Sequence, residues 1–331
     1  MEFADLYSPL HAMAMNFFNI VIETPVNYTE RFFWLYIVTF VAFAYLGYRR
    51  YHHSRRGFWR FTFPKAIYLH KSSLVDYGIY FINIFISPLT ALFGVALNTA
   101  TSMLVAQTLI GWNNGNPLFV GEWNYSINLA FILGFTLIAD FTVYLIHRTH
   151  HAWDILWPIH ALHHSAEVMT PVTLFRKHPI WNFTANLATA LLTGLFQGVF
   201  IFLFYGTPDY SILFGISTIY VVYNFFASNL RHSHIWLSWG KPLSYLFISP
   251  AMHQIHHDPN RMNKNYGEIF AIWDWMFGTL YIPQQREKFA IGLPEGNRHN
   301  SLARAYYVPI VDVAKVIRSK FKRRSRPHQE L

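Results

Sequence analysis

The chain has 331 residues and is 53% hydrophobic and 19% aromatic, but only 13% charged. Soluble domains carry about 25% charged residues, so this composition excludes an ordinary soluble globule and points to one integral membrane domain. There is no cysteine, which excludes disulfides, thiolate nucleophiles, thiolate-ligated haem and cysteine-held iron–sulfur centres; any metal held by the protein takes nitrogen and oxygen ligands.

The net charge of +9 is distributed as for a membrane rather than for nucleic acid. Seven basic residues fall from Arg49 to Lys71 and seven more from Lys315 to Arg326, whereas no Lys or Arg occurs from Leu74 to Ile146. Basic blocks beside apolar runs anchor at an anionic leaflet facing the cytoplasm. No nucleic-acid partner is expected.

Residues 1–30 mix short apolar pieces with Pro, Asn and His, without the basic start of an export signal. Residues 32–48 form the first candidate span, a little short of the roughly 20 residues a crossing needs. The basic block after it is placed inside. Residues 74–110 are mostly apolar, with Asp76 early and Pro88 near the middle. Residues 111–126 carry no positive charge and read as external, and residues 127–146 must return inside. An odd number of crossings is therefore expected within 74–110: one span plus a half-crossing or in-plane piece broken near Pro88. Residues 183–205 and 210–226 form an outward and return hairpin around a GTPD turn, which brings His232 and His234 to the side of His147. The expected fold is an all-α polytopic membrane bundle of about four to six transmembrane or half-crossing helices with a cytoplasmic histidine-rich metal-binding cap. It divides into an N-terminal segment (1–72), a core (73–282) and a basic cytoplasmic tail (283–331), disordered after about Ser319.

Histidines carry the chemistry. Asp140, Tyr144, His147 and His151 are spaced by four, three and four residues, so they form one helical stripe. His147 and His151 can then share a metal, with Asp140 and Tyr144 deeper on the same face. An acid in an apolar span needs a partner or a function, and Asp140 is expected to accept a hydrogen bond from a ligand imidazole. His160 shares a face with both His163 and His164, while those two neighbours diverge by about 100°, which suits two ions better than one. His253, His256 and His257 repeat this spacing behind Pro250, a residue suited to a helix start. Asp274, between two tryptophans, is expected to orient an imidazole or close the cap. His178, before Pro179, and His234, preferred over His232, are more isolated candidates. A lone interfacial histidine needs no metal to explain it; two HxxHH runs and a striped HxxxH do. Imidazole ligands suit two first-row transition metals, and iron is the choice for attack on an unactivated C–H bond. A metal transporter would place its ligands near the membrane midplane, whereas these lie past helix ends.

HRTHH (147–151), HALHHS (160–165), SPAMHQIHH (249–257) and NYG…WDWMFGT (to residue 279) resemble the fatty acid hydroxylase/sterol desaturase superfamily of integral membrane proteins. The resemblance runs over residues 73–282. It implies a di-iron centre, O2 as co-substrate, and a fatty acyl, sphingolipid, sterol or alkylglycerol substrate in the membrane. It also carries His178 and His234 over as further ligands. With no room for a fused cytochrome b5 domain, the reductant is expected from a separate donor protein: cytochrome b5-like, a ferredoxin or a reductase. Hydroxylation is expected ahead of desaturation, with a histidine-rich metal-binding or transport protein as the other alternative, and a bacterial inner membrane as the location.

Overall fold

Apolar sequence with few charges offers the backbone no solvent partner in lipid, so its N–H and C=O groups pair within helices. The computed structural model describes residues 25–27, 31–52, 57–119, 124–204, 210–226 and 228–324; expectations for residues 1–24 and for the GTPD turn at 206–209 lie outside them. The main helices in chain order are α1 (Trp34–Gly47), α2 (Lys71–Trp112), α3 (Tyr125–Ala152) and α4 (Trp157–His164). They are followed by α5 (Pro179–Phe204), α6 (Tyr210–Phe225), α7 (Pro250–His256), α8 (Ile272–Met276) and α9 (Leu302–Arg324). An isolated antiparallel bridge between Phe247 and Phe270 is the only β pairing among the described residues. The protein is all-α.

Helices α2, α3 and α5 are long and apolar enough to cross a membrane. Their outward leucines, among them Leu89, Leu92, Leu104 and Leu195, are exposed, as lipid-facing positions must be. The 14-residue α1 and 16-residue α6 are apolar but fall short of a full crossing. The break expected near Pro88 does not occur: α2 is one helix of 42 residues, roughly 63 Å long. Proline removes a single N–H from the ladder, a loss that a helix packed in a membrane bundle tolerates.

Small residues set how closely α2 and α5 approach. A Cβ on Gly194 would meet the Asn98 carbonyl oxygen at 2.8 Å, and one on Gly198 would meet that of Ser102 at 2.6 Å. Such contacts let backbones pack directly where lipid supplies no hydrophobic drive. Asn98 adds a hydrogen bond from Nδ2 to Thr193 Oγ1 at 2.9 Å. On the other side of α5, Phe131 of α3 packs on Phe200.

The remaining segments form a cap at one end of this bundle. Phe40 and Ala44 of α1 pack on Leu230, Ile235 and Leu237; Ile248 and Met252 pack on Ala271. A fully buried Arg176 joins distant parts of the chain. Its guanidinium donates to Asp76 Oδ1 of α2 at 2.6 Å, to the Leu162 carbonyl of α4 at 2.8 Å and to the His299 carbonyl at 3.1 Å. Thr173 Oγ1 donates to the other Asp76 oxygen at 2.7 Å. The early turns of α9 complete this region, with Leu302, Ala305 and Tyr306 against Ile79 and Leu162. That apolar contact starts a helix which continues through the basic stretch to Arg324, where disorder after about Ser319 was expected.

Candidate metal centre

Three helix ends deliver eight of the nine clustered histidines, and the non-helical segment after Leu230 delivers the ninth, His232. The last turns of α3 carry His147 and His151, one turn apart on one face. The chain then reverses, and Pro158 pre-sets the first turn of α4, which carries His160, His163 and His164. In α7 the Ser249 side chain accepts the Met252 N–H and Pro250 occupies the first helical position. This cap fixes a helix too short to hold itself, and with it His253, His256 and His257.

The rings gather into two adjoining clusters. His147, His151, His160, His164 and His256 each bring a ring nitrogen within 4.8 Å of the others; His163, His232, His253 and His257 do the same. Neighbours in sequence part company. His164 and His256 belong to the first cluster, His163 and His257 to the second. The clusters touch through His164 and His257, whose ring centres are 4.7 Å apart. Neither cluster contains a carboxylate.

The nitrogen spacing suits a metal. His232 Nε2 lies 2.9 Å from His253 Nε2 and 3.1 Å from His163 Nε2, and His160 and His164 bring theirs to 3.2 Å. Adjacent ligands of one ion with metal–nitrogen bonds of about 2.1 Å stand about 3 Å apart. A hydrogen-bonded imidazole pair explains one such contact, but the three-way approach at His232 asks one nitrogen to serve two partners. Buried nitrogens without partners remain on His147, His151 and His256 (Nε2) and on both sides of His257. Unsatisfied groups of this kind cost free energy unless something occupies the space between them. Burial first, and neighbouring rings second, hold His160, His163, His164, His232, His253 and His257 well below the ordinary histidine pKa. Burial takes His256 down to about 4. The neutral form that results is the one that ligates.

A polar loop orients the rings. His147 Nδ1–H donates to the Tyr266 carbonyl and His256 Nδ1–H to the Lys264 carbonyl, each at 2.8 Å, which turns both Nε2 atoms inward. Asp274 holds this loop, accepting from Tyr266 N at 2.9 Å, Gly267 N at 2.8 Å and Thr279 Oγ1 at 2.6 Å. It thus acts on His147 through one peptide group rather than by touching a ring. Asp140 also differs from expectation. Its carboxylate accepts from Ile269 N, Phe270 N and the Trp273 indole, at 2.9, 3.1 and 2.9 Å, and from no imidazole. These loop donors lie on the Asp140 side of the helix and satisfy the carboxylate before any ligand ring reaches it. The Tyr144 hydroxyl accepts from Arg148 and pairs with Thr279 Oγ1, again securing the loop.

His178 and His234 are not brought to either cluster. His178 accepts the Ile180 N–H at the start of α5 through Nδ1 and donates through Nε2 to the Tyr306 carbonyl. Both nitrogens are occupied. His234 donates to the Phe61 carbonyl at 2.7 Å, and His232 takes the place expected for it. In this non-helical segment, residues two apart face opposite ways. Gln254, inside the SPAMHQIHH run, donates to the Leu230 and Ile235 carbonyls at 3.0 and 2.9 Å and so ties the His232 loop to α7. Sequence reasoning also passed over Trp181, which stacks on His160 at 4.3 Å, and Tyr266, whose ring borders His147, His151 and His256. Each acts from a distant segment, and only the Gln254 position carried a local signal.

Fold and site together define a helical membrane protein with two buried all-histidine clusters fit to hold a pair of metal ions. Residues 132–279, a little under half of the chain, match the family model described as fatty acid hydroxylase. It is 30% identical over 194 residues to an alkylglycerol monooxygenase of Xenopus tropicalis, covering 57% of this chain and 38% of that protein. Against the alkylglycerol monooxygenase of Homo sapiens it is 30% identical over 156 residues, 46% of this chain and 31% of the relative. Against the ornithine lipid hydroxylase OlsE of Rhizobium tropici it is 31% identical over 192 residues, 57% and 52% respectively. The matches thus span well under two thirds of these relatives. No solved structure matches the chain.

Proposed function

We propose that the protein is an O2-dependent membrane lipid hydroxylase whose two clusters hold two iron ions. The observation that carries this reading is the meeting of nine imidazoles, eight of them buried, with no carboxylate among the described residues of either cluster, at the end of a membrane bundle. Iron bound there supplies the redox chemistry that uses O2 to oxidise an unactivated C–H bond. The chain's own part is to present neutral nitrogens, fix ring orientation through the Tyr266 and Lys264 carbonyls, and keep water out beneath Trp181 and Tyr266. A cavity of about 460 Å³ between α2, α3, α5 and Tyr220 of α6 adjoins the clusters and receives the substrate. The names of the relatives, monooxygenase and hydroxylase, favour insertion of oxygen over desaturation. Electrons come from a separate donor: a cytochrome b5-like protein, a ferredoxin or a reductase. With the shorter α1 and α6 set as partial spans beside the three long helices, the bundle has five spans, and the clusters face the cytoplasm of a bacterial inner membrane beside the basic blocks.

Metal analysis of the purified protein, with mass spectrometry of host lipids grown under isotopically labelled O2, tests this reading. Bound iron and a lipid carrying one labelled oxygen are expected. A product that has lost two hydrogens and gained no labelled oxygen makes the protein a desaturase, and turnover in strict anaerobiosis overturns the oxygenase.

A further inference from the structure

Four charged side chains meet beside the clusters: Arg31, Lys177, Arg231 and Glu268. Only one is acidic, and one of its carboxylate oxygens already serves both arginines. Glu268 Oε1 accepts from Arg31 Nη2 at 3.1 Å and from Arg231 Nη2 at 3.3 Å, and its carbonyl accepts from Arg231 Nη1. The Lys177 ammonium is left with no hydrogen bond or ion pair among the described residues; its neighbour is the face of Trp181, 5.8 Å from Nζ to ring centre. Its backbone is fixed by Asn83, whose Nδ2 donates to the Lys177 carbonyl at 2.9 Å. The side chain borders both the 460 Å³ cavity and a 40 Å³ space lined by His147, His160, His163, His232 and His253. Val143, Leu174, Trp181 and Glu268 border both as well. Polar Ser87, Thr90, Asn182 and Asn186 line the larger cavity, although it lies between apolar helices.

We propose that Lys177 binds an acidic group, a carboxylate or a phosphate, of the lipid that enters this cavity. Excess positive charge away from water is costly unless an anion offsets it, and a charge-assisted bond from Nζ supplies that offset. Burial first, with Arg31 and Arg231 adding to it against the pull of Glu268, lowers the Lys177 pKa; an anion at Nζ reverses that shift. Imidazole ligands bring no negative charge of their own, so an occupied centre adds to the same demand. The surrounding amides and hydroxyls suit the uncharged part of a polar head, and the alkyl chain trails away between the helices. Because the two spaces adjoin at Lys177, the carbon presented to the clusters lies within a few bonds of the acidic group rather than far along the chain. The ligand's status as substrate rests on the hydroxylase reading; its binding does not.

The test is equilibrium binding to the full chain in phosphatidylcholine nanodiscs, with dodecyl phosphate, dodecanoate and dodecanol as probes. Both anions are expected to bind at least about tenfold more tightly than dodecanol. Lys177→Gln brings all three together, and Lys177→Arg keeps the preference. Equal binding of the three to the native protein, or a preference that survives Lys177→Gln, overturns the proposal. Failure of inorganic phosphate to compete supports a lipid source; full competition by it overturns that source. Should Lys177→Gln not fold, protection of the native Lys177 amine from acetylation decides: protection by dodecyl phosphate but not dodecanol supports the site, and equal labelling overturns it. Iron content and turnover are measured separately. Intact anion preference in a protein without iron or turnover sinks only the oxygenase reading, and iron and turnover without anion preference sink only the Lys177 site.

Discussion

His163 and His164 are adjacent in the chain, yet their rings stand at 89° to each other and enter different clusters. One helical step of about 100° separates the two halves of the site. Replacing either residue therefore damages one half directly. His163→Ala leaves three imidazoles in its cluster, whereas His256→Ala leaves four in the other. Both variants are expected to remain membrane-inserted, to lose turnover and to bind less iron, with the larger iron loss in His163→Ala. Elemental analysis against protein concentration measures this; full activity in either variant contradicts the assigned clusters.

His232→Ala and His234→Ala separate the two candidates left by the sequence. His232 approaches two other ring nitrogens, while His234 donates to a carbonyl on the far side of its loop. His232→Ala is expected to lower bound metal and abolish turnover. His234→Ala keeps its metal and loses only about 1 kcal/mol of stability from the missing hydrogen bond. Metal loss confined to His234→Ala would reverse the assignment.

Asp274→Asn keeps the shape of the side chain and removes its ability to accept from three donors at once. The amide nitrogen must then face a backbone N–H. The expected cost is about 2–3 kcal/mol of stability, with metal affinity weakened by about tenfold because the Tyr266 carbonyl no longer fixes His147. Thermal unfolding and chelator competition measure the two effects. Unchanged metal affinity would show that the loop needs no such support.

Acid should unfold the metal-stripped protein at mild pH. His160, His163, His164, His232, His253 and His257 are held well below the ordinary value by burial, and His256 at about 4. In the unfolded chain they titrate near about 6.5. Between those values the unfolded state binds more protons, so stability rises with pH and is lost as pH falls. The melting temperature of the stripped protein is expected to hold above about pH 7 and to fall steadily from about pH 6.5 towards 4, and the metal-loaded protein is expected to release its metal as the ligand imidazoles protonate. A melting temperature that stays level between about pH 7 and pH 5 contradicts this.

Much of the centre was legible because helical spacing is local. The positions of His147 and His151, and the parting of His163 from His164, follow from rotation per residue alone. Asp140 shows where such reasoning stops. Its burial in an apolar span signalled a partner, but the partners are backbone N–H groups and an indole about 130 residues onward, which no spacing reveals. His234 was preferred over His232 with no helix to set the direction of either. Pro88 reads as a breaker in water, yet α2 passes through it because packing and lipid penalise an open backbone more than they penalise one missing bond. Arg176 gave no sign of its importance beside Lys177 in FRKHPI.

That arginine bears on where the working unit ends. The matched region stops at residue 279, but Arg176 reaches forward to the His299 carbonyl and His178 to that of Tyr306. A chain trimmed to its matched portion would keep the Arg176–Asp76 ion pair but take one carbonyl acceptor from that buried guanidinium, and would loosen the turn that launches α5 and positions Trp181 over His160. Domain exchange among relatives should therefore carry the α9 segment with the histidine core, as a clasp belonging to the same scaffold.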